Sequence, residues 1–233
     1  MKLLYFYLMA GLFLVACGAG PIYPDVGWLN DWVKLPSAID KTSDKTPVIS
    51  DPVVNFHLAP GDRTSIIQAG EEWRAGETYL LGFDVRLDPK FLGKENITLS
   101  RLTRKENPSV EIAVVKLDID SGVTIFGRSC IPAADLSKWH RIEMRIKFSD
   151  EDKGYLEVFC DRKPIWARVD MRTNFAPECR YSEGCRKPVS KPERYNWQLG
   201  LITDVPVSQM INLQMQRLNH RRLYYKPNRV GTL

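Results

Sequence analysis

Short segments in which apolar and polar residues alternate dominate this chain, and they constrain its fold more than any other feature. Val54, Phe56 and Leu58 alternate before the turn residues 60–62, and a longer alternation runs from Tyr79 to Leu87. Strict alternation places the apolar side chains on one face of a β-strand. No segment shows a helical pattern of convincing length, so the chain is predicted to be all-β.

Later segments repeat this pattern and suggest how the strands are arranged. They lie at 112–114, 123–125, 142–148, 155–160, 195–201 and 211–215. In the third of these and the two residues before it, Arg141, Glu143 and Arg145 share the polar face, whereas His140 has the parity of the apolar face. At least eight antiparallel strands favour a two-sheet sandwich or jelly roll over a small barrel. This domain is predicted to span residues 52–233.

The N-terminus carries an export signal. Lys2 precedes a short apolar run that ends in Leu14-Val15-Ala16-Cys17, and the run is too short for a good membrane span. The four residues match the lipoprotein pattern, in which the cysteine is lipidated; an ordinary secretory peptide is the alternative. We therefore expect a signal peptide at 1–16, a lipidated Cys17 and a Pro-rich tether at 17–51. Gly18, by resemblance to Gram-negative lipoproteins, favours the outer membrane within the cell envelope.

Four further cysteines would lie in an oxidising compartment, where an even number favours disulfides. Cys179 and Cys185 enclose a short polar loop that a local bridge would close, and Cys130 with Cys160 would then join two strands. Three pairings are formally possible. A zinc site would need closer ligand spacing and histidine partners, so neither a metal nor another cofactor is expected.

Basic residues are unevenly distributed in a chain whose formal net charge is +5. Residues 205–233 contain five Lys or Arg, among them Arg217, Arg221 and Arg222, and no acid. A one-sided basic surface attracts polyanions. In an exported protein the expected polyanions are acidic polysaccharides, lipid phosphates or the glycans of the cell envelope and wall, and nucleic acid is disfavoured.

The order of several motifs resembles bacterial polysaccharide lyases with a concanavalin A-like jelly roll, of the heparin lyase I and alginate lyase type. The motifs are Gly70–Tyr79 with Phe83–Leu87, Trp139-His140, Gly154–Val158 with Asp161–Ile165, and Tyr195–Ile202. Together they cover most of residues 53–204. The resemblance implies a protein that binds acidic, uronate-containing polysaccharide and cleaves it by β-elimination.

Such cleavage needs a group that neutralises the uronate carboxylate, a base and an acid. The resemblance gives the first role to Arg63, but Ser65 stands at the family's glutamate position. Gln198 replaces a lysine, Ile202 replaces the tyrosine acid, and the strand at 97–102 lacks the family's Gln and His. The base and acid positions are thus unmatched, and the sequence leaves enzymatic activity open.

Other residues are candidates for the site. His220 and Tyr224 lie in the basic C-terminal cluster, where a proton-transfer group beside arginines suits a carboxylated substrate; the same cluster also fits a solvent-exposed edge strand. His57 lies on the polar side of the first strand. The residues predicted to bind substrate are Arg86, Arg141, Arg145, Gln198, Arg221 and Arg222. Two functions follow: a lipid-anchored lyase, or a non-catalytic binding protein of the envelope.

Overall fold

The computed structural model describes residues 43–50, 52–72, 76–88, 95–104, 108, 111–118, 120–149, 152–171 and 194–223, with only the backbone at 69–72, 171, 194 and 220–223. Thirteen strands occur in this part of the chain. They are β1 (Val48–Ser50), β2 (Val53–Leu58), β3 (Thr64–Glu72), β4 (Thr78–Leu87), β5 (Ile97–Arg104), β6 (Glu111–Asp118), β7 (Gly122–Ile125), β8 (Arg128–Ile131), β9 (His140–Lys147), β10 (Gly154–Cys160), β11 (Lys163–Met171), β12 (Arg194–Thr203) and β13 (Ile211–Leu223).

The strands form two antiparallel sheets, which confirms the predicted all-β sandwich. The seven-stranded sheet has the order β1-β2-β13-β4-β9-β10-β11, and the six-stranded sheet has the order β3-β12-β5-β6-β7-β8. β13 lies between β2 and β4, but β2 pairs only with its residues 211–216, and residues 219–223 pair with β4 alone among the described strands. The alternative that the basic cluster lies on an exposed strand edge is therefore still open. β1 falls within the predicted tether and pairs with β2, so the end of that segment belongs to the sandwich.

The core lies between the two sheets and is built from the apolar half of each alternation. Phe83 of β4 and Trp197 of β12 bring their ring centroids to 6.4 Å across the sandwich. Trp197 is fully buried, and its indole Nε1 donates a hydrogen bond to Ser100 Oγ at 2.9 Å. A buried indole N–H needs such a partner, so Ser100 faces the core.

A disulfide between Cys130 and Cys160 joins the two sheets, with the two Cα atoms 5.5 Å apart. Cys130 lies on β8, at one edge of the six-stranded sheet, and Cys160 ends β10 in the other sheet. This is one of the pairings expected from the sequence. Cys179 and Cys185, like Cys17, lie outside the described residues.

Two hairpins follow the sequence expectation. The loop after Lys147 leads into Gly154, and the turn after Cys160 is made by Asp161 and Arg162, both with positive φ. Such φ values match the right-handed twist of the flanking strands in a two-residue hairpin.

Among the described residues, no helix has the length and apolar character needed to span a bilayer.

Candidate functional site

The outer face of the six-stranded sheet is built on β3, β12 and β5, and β12 carries the Tyr195–Ile202 motif noted above. A row of paired residues crosses it, from Gln68 through Gln198 and Arg101 to Val114. All four side chains are partly exposed. We call this surface the Arg101 face.

Arg101 is oriented by a glutamine. Its Nε and Nη2 both donate to Gln198 Oε1, at 3.1 and 2.8 Å. A guanidinium has five N–H donors, so three remain available. Among the described residues no carboxylate lies within ion-pair distance of Arg101, and its positive charge is therefore not neutralised by an acid.

A second cation and a hollow extend this face toward β7. Lys116 on β6 is exposed, and its backbone pairs with Thr98 on one side and Thr124 on the other. Lys116, Thr124 and the half-exposed Phe126 line a hollow of about 270 Å³. Glu111 adds a carboxylate to the lining of this hollow. The face thus combines two cations with polar and aromatic side chains, which suit an acidic sugar chain, and the acid lies at the hollow end.

On β3, β12 and β5, the side chains that the structure describes on this face include none suited to proton transfer. The outward side chains described on them are Thr64, Ile66 and Gln68 of β3, Asn196, Gln198 and Ile202 of β12, and Thr98 and Arg101 of β5. None of these can act as a general base or acid near neutral pH. Ile202, at the end of the motif Tyr195–Ile202, is only 8% exposed. Tyr195, at its start, is fully buried in the core and does not reach this face.

Gly200 bends the same strand. Its φ is +137°, and a Cβ there would meet the backbone oxygen of Ser65 at 2.2 Å. The pairing of β12 with β5 also shifts register between Leu199 and Ile202. Only glycine fits this position, so the one glycine of the motif is required by the close approach of β3.

Arg63 lies just before β3, and its side chain is exposed. Its backbone oxygen accepts hydrogen bonds from N and Oγ1 of Thr203, at 2.9 and 3.1 Å. Asp44 accepts a hydrogen bond from the Arg63 backbone amide at 2.7 Å. These contacts fix the backbone next to the Arg101 face, and Arg63 remains a predicted ligand of a carboxylate.

The predicted ligands Arg86, Arg141 and Arg145 lie on the opposite side of the molecule, on the outer face of the seven-stranded sheet. Arg141 donates to Asp84 and to Glu143, each at 3.2 Å. Arg145 donates to Glu157 at 2.9 Å. Acidic neighbours therefore neutralise two of the three arginines.

Asp84 is the centre of this ion-pair cluster and is only 1% exposed. It accepts hydrogen bonds from Arg141, from Gln216 Nε2 at 3.3 Å and from Arg217 Nε at 2.5 Å. Arg217 has a positive φ and lies where β13 shifts register against β4. A buried carboxylate needs such partners, so the cluster is a structural element of the sheet.

Next to it, Asp161 connects the turn after β10 to β9. Its carboxylate accepts the backbone amide of Arg141 at 2.8 Å and lies 2.8 Å from His140 Nδ1. Burial acts to raise the pKa of Asp161, but these hydrogen bonds and nearby positive charges outweigh it, and the pKa lies below its usual value. His140 is thus occupied by Asp161 and by the backbone oxygen of Asp135.

The remaining predicted site residues are not brought together. The backbone of His220, Arg221 and Arg222 lies in β13 and pairs with Leu81, Leu80 and Tyr79 of β4. These residues therefore belong to the other sheet from Gln198 and from β3, which Arg63 precedes. Tyr224 lies outside the described residues. Arg101 was absent from the candidates predicted from the sequence. Its contact with Gln198 depends on the order of the strands in the sheet, which the sequence does not show locally.

Comparison with solved structures identifies similar folds. An endo-β-1,4-glucuronan lyase from the fungus Trichoderma reesei superposes with a TM-score of 0.58 at 13% identity, covering 83% of this chain and 92% of that one. An alginate lyase of polysaccharide lyase family 7 gives 0.51 at 8% identity, covering 78% and 84%. An alginate lyase variant in complex with an alginate trisaccharide gives 0.53 at 11% identity, covering 76% and 85%.

No protein-family model matches the sequence, and no curated protein matches it either. The structural likenesses are remote in sequence and show a common fold. This chain therefore has the two-sheet jelly roll found in lyases of uronate polysaccharides. Fold alone does not assign a reaction, so the function must be argued from the side chains.

Proposed function

We propose that this protein binds an acidic, uronate-containing polysaccharide along the Arg101 face and does not cleave it. The observation that carries the proposal is the guanidinium of Arg101, which Gln198 orients without neutralising. A carboxylate can accept two parallel hydrogen bonds from the donors that remain. Exposed Lys116 supplies a second cation for a neighbouring sugar of the same chain.

The lack of cleavage follows from the chemistry of β-elimination. The reaction removes the proton on the carbon next to the carboxylate and protonates the leaving oxygen, so it needs a positioned base and acid. The outward residues described on β3, β12 and β5 are amides, hydroxyls, an arginine and aliphatic groups. Such side chains can hold a uronate, and among those that the structure describes on these three strands none is suited to moving its proton.

The test uses the full chain with alginate, glucuronan and heparin. We expect binding to at least one of these polymers without the absorbance of an unsaturated uronate product. Arg101→Gln should weaken binding at least tenfold, whereas Arg168→Gln, which changes an exposed arginine on β11, should leave it unchanged. Appearance of the unsaturated product would contradict the non-catalytic part of the proposal, and unchanged affinity of Arg101→Gln would contradict the assigned surface.

Attachment to the outer membrane through Cys17 completes the proposal. It is supported by the lipoprotein pattern at residues 14–17. Replacing Cys17 by Ser should move the protein from the membrane fraction to the soluble fraction. A variant that fractionates like the wild type would contradict the lipid anchor but not the proposed binding surface.

A further inference from the structure

A second cavity opens on the side of the sandwich opposite the Arg101 face. It lies on the outer side of the seven-stranded sheet, where β2 and β4 end and β13 begins, and has a volume of about 680 Å³. Pockets that hold small ligands are commonly of this size. Its polar lining includes Asn55, His57, Arg86, Asn212 and Gln214. We call it the Arg86 groove.

A chain of hydrogen bonds fixes the arginine in this groove. Arg86 Nε donates to Gln214 Oε1 at 2.5 Å, and Gln214 Nε2 donates to Asn55 Oδ1 at 2.8 Å. Asn55 Nδ2 in turn donates to the backbone oxygen of Val48 at 3.4 Å. Three strands therefore hold the guanidinium in one orientation, so little conformational entropy is lost when a ligand binds.

The ring of Trp139 supports the guanidinium from below. The Cζ atom of Arg86 lies 4.7 Å from the ring centroid, within the range of a cation–π contact. Stacking and the bond to Gln214 engage one face and the Nε edge of the group. The four N–H donors on Nη1 and Nη2 make no hydrogen bond to the described residues, and Arg86 lines the groove.

The partners of Arg86 distinguish it from its neighbours on the same sheet. Arg141 and Arg145 are paired with carboxylates, whereas Arg86 is held by an amide and an aromatic ring. Among the described residues no acid forms an ion pair with Arg86. If Arg86 served only to pack against the sheet, stacking on Trp139 would be sufficient. The hydrogen-bond chain through Gln214 and Asn55, which fixes its orientation, would not be needed.

The other groups in the groove indicate the chemical class of the ligand. Asn212 and His57 offer hydrogen-bond donors and acceptors, Ser137 offers a hydroxyl, and Asp88 adds a carboxylate. One cation with one acid suits a ligand of low charge better than a polyphosphate. Mixed donors and acceptors match a sugar ring, and the Nη edge of Arg86 matches one carboxylate on it.

We propose that the Arg86 groove is a second saccharide-binding site, which takes a sugar unit carrying one carboxylate. The inference rests on the groove alone and does not depend on the Arg101 face. If both sites are occupied, one molecule holds two polysaccharide strands on opposite sides of the sandwich. Such a bivalent protein would cross-link long polymers.

The test is calorimetric titration of the full chain with a short β-1,4-linked glucuronic acid oligosaccharide. The matched control ligand is the cello-oligosaccharide of equal length, which has the same linkage and lacks the carboxylates. We expect two sites for the acidic ligand on the wild type. Arg86→Gln should retain one of them, and the site at the groove should weaken at least tenfold.

Two further variants keep the outcomes separate. Arg86→Lys preserves the positive charge but not the paired N–H donors. It should therefore weaken the groove site by less than Arg86→Gln, and the binding that remains would show that the groove is still folded. Arg101→Gln should remove the other site. If Arg86→Gln still shows every site of the wild type, or if the neutral ligand binds the groove equally well, the inference is overturned. If Arg86→Gln abolishes all binding and Arg101→Gln abolishes none, the groove stands and the proposed function fails.

Discussion

The two outer faces of the sandwich both present arginines, but they give these arginines different partners. On the seven-stranded sheet, Arg141 and Arg145 are paired with Asp84 and Glu157. On the six-stranded sheet, Arg101 is held by the amide of a glutamine. An acid neutralises the guanidinium, whereas an amide only orients it. The partner of an arginine therefore decides whether it stabilises the sheet or attracts an anion.

This difference changes how the charge of the chain should be interpreted. A net charge of +5 predicts attraction of polyanions but does not locate the surface that binds them. Most of the described arginines on the seven-stranded face are used within the sheet. Arg101 and Arg86 are instead oriented by a glutamine, and no described acid forms an ion pair with either.

The largest expected effect on stability comes from the Cys130–Cys160 disulfide, which joins the two sheets and lies on neither outer face. The Cys130–Cys160 disulfide closes a segment with a sequence separation of 30. Replacing both cysteines by Ser should lower the free energy of unfolding by about 3–4 kcal/mol, from the loop-entropy relation. Urea unfolding measures this loss. Polysaccharide binding should be retained at temperatures where the variant is folded; a loss of less than about 1 kcal/mol would contradict the estimate.

The next effect tests the structural role of the ion pairs on the seven-stranded face. Asp84→Ala removes a buried acid and leaves Arg141 and Arg217 without their shared partner. Because the variant loses three hydrogen bonds to a buried carboxylate, two of them from arginines, the free energy of unfolding should fall by about 2–3 kcal/mol. Asp204→Ala, which changes an exposed acid, is the matched control. Equal melting temperatures for the two variants would show that this cluster does not stabilise the sheet.

A smaller effect should appear at acid pH. Asp161 has a pKa below its usual value, so its contribution to stability is complete above the unfolded pKa of about 3.9 and is lost as pH falls through the lower folded pKa. Asp161→Asn should therefore flatten the decline in melting temperature on acidification below about pH 4, and Asp204→Asn should not. The effect should be modest because the side chain of Asp161 is half exposed. If the melting temperature of Asp161→Asn declines with acid as that of the wild type does, Asp161 does not contribute to acid sensitivity.

The sequence predicted the sheets better than it predicted the site. Alternation located the buried side of most strands and placed Arg141 and Arg145 on the outward side of β9, because regular strands preserve parity. In β5, however, the pairing with β6 shifts between Thr98 and Ser100, so Leu99 and Ser100 are both buried and Arg101 faces outward. Simple alternation from Ile97 and Leu99 would have placed Arg101 in the core.

The partners of the arginines could not be predicted for a related reason. Gln198 reaches Arg101 from a strand 97 residues away in sequence, and Gln214 reaches Arg86 from 128 residues away. Strand order and register create these pairs, and neither is encoded locally. The resemblance to lyases supplied the fold, but it assigned roles to motif positions without showing which arginine lacks an acid.

The most direct test of the account compares Arg101→Gln with Arg145→Gln, both in an Arg86→Gln background so that the groove does not contribute. Calorimetric titration with glucuronic acid oligosaccharides at low salt should show at least a tenfold loss of affinity for Arg101→Gln, equivalent to about 1.4 kcal/mol. Arg145→Gln should bind as well as the background protein, since Glu157 already neutralises Arg145. Equal losses in the two variants, or a larger loss for Arg145→Gln, would contradict the claim that an arginine without an acidic partner marks the binding face.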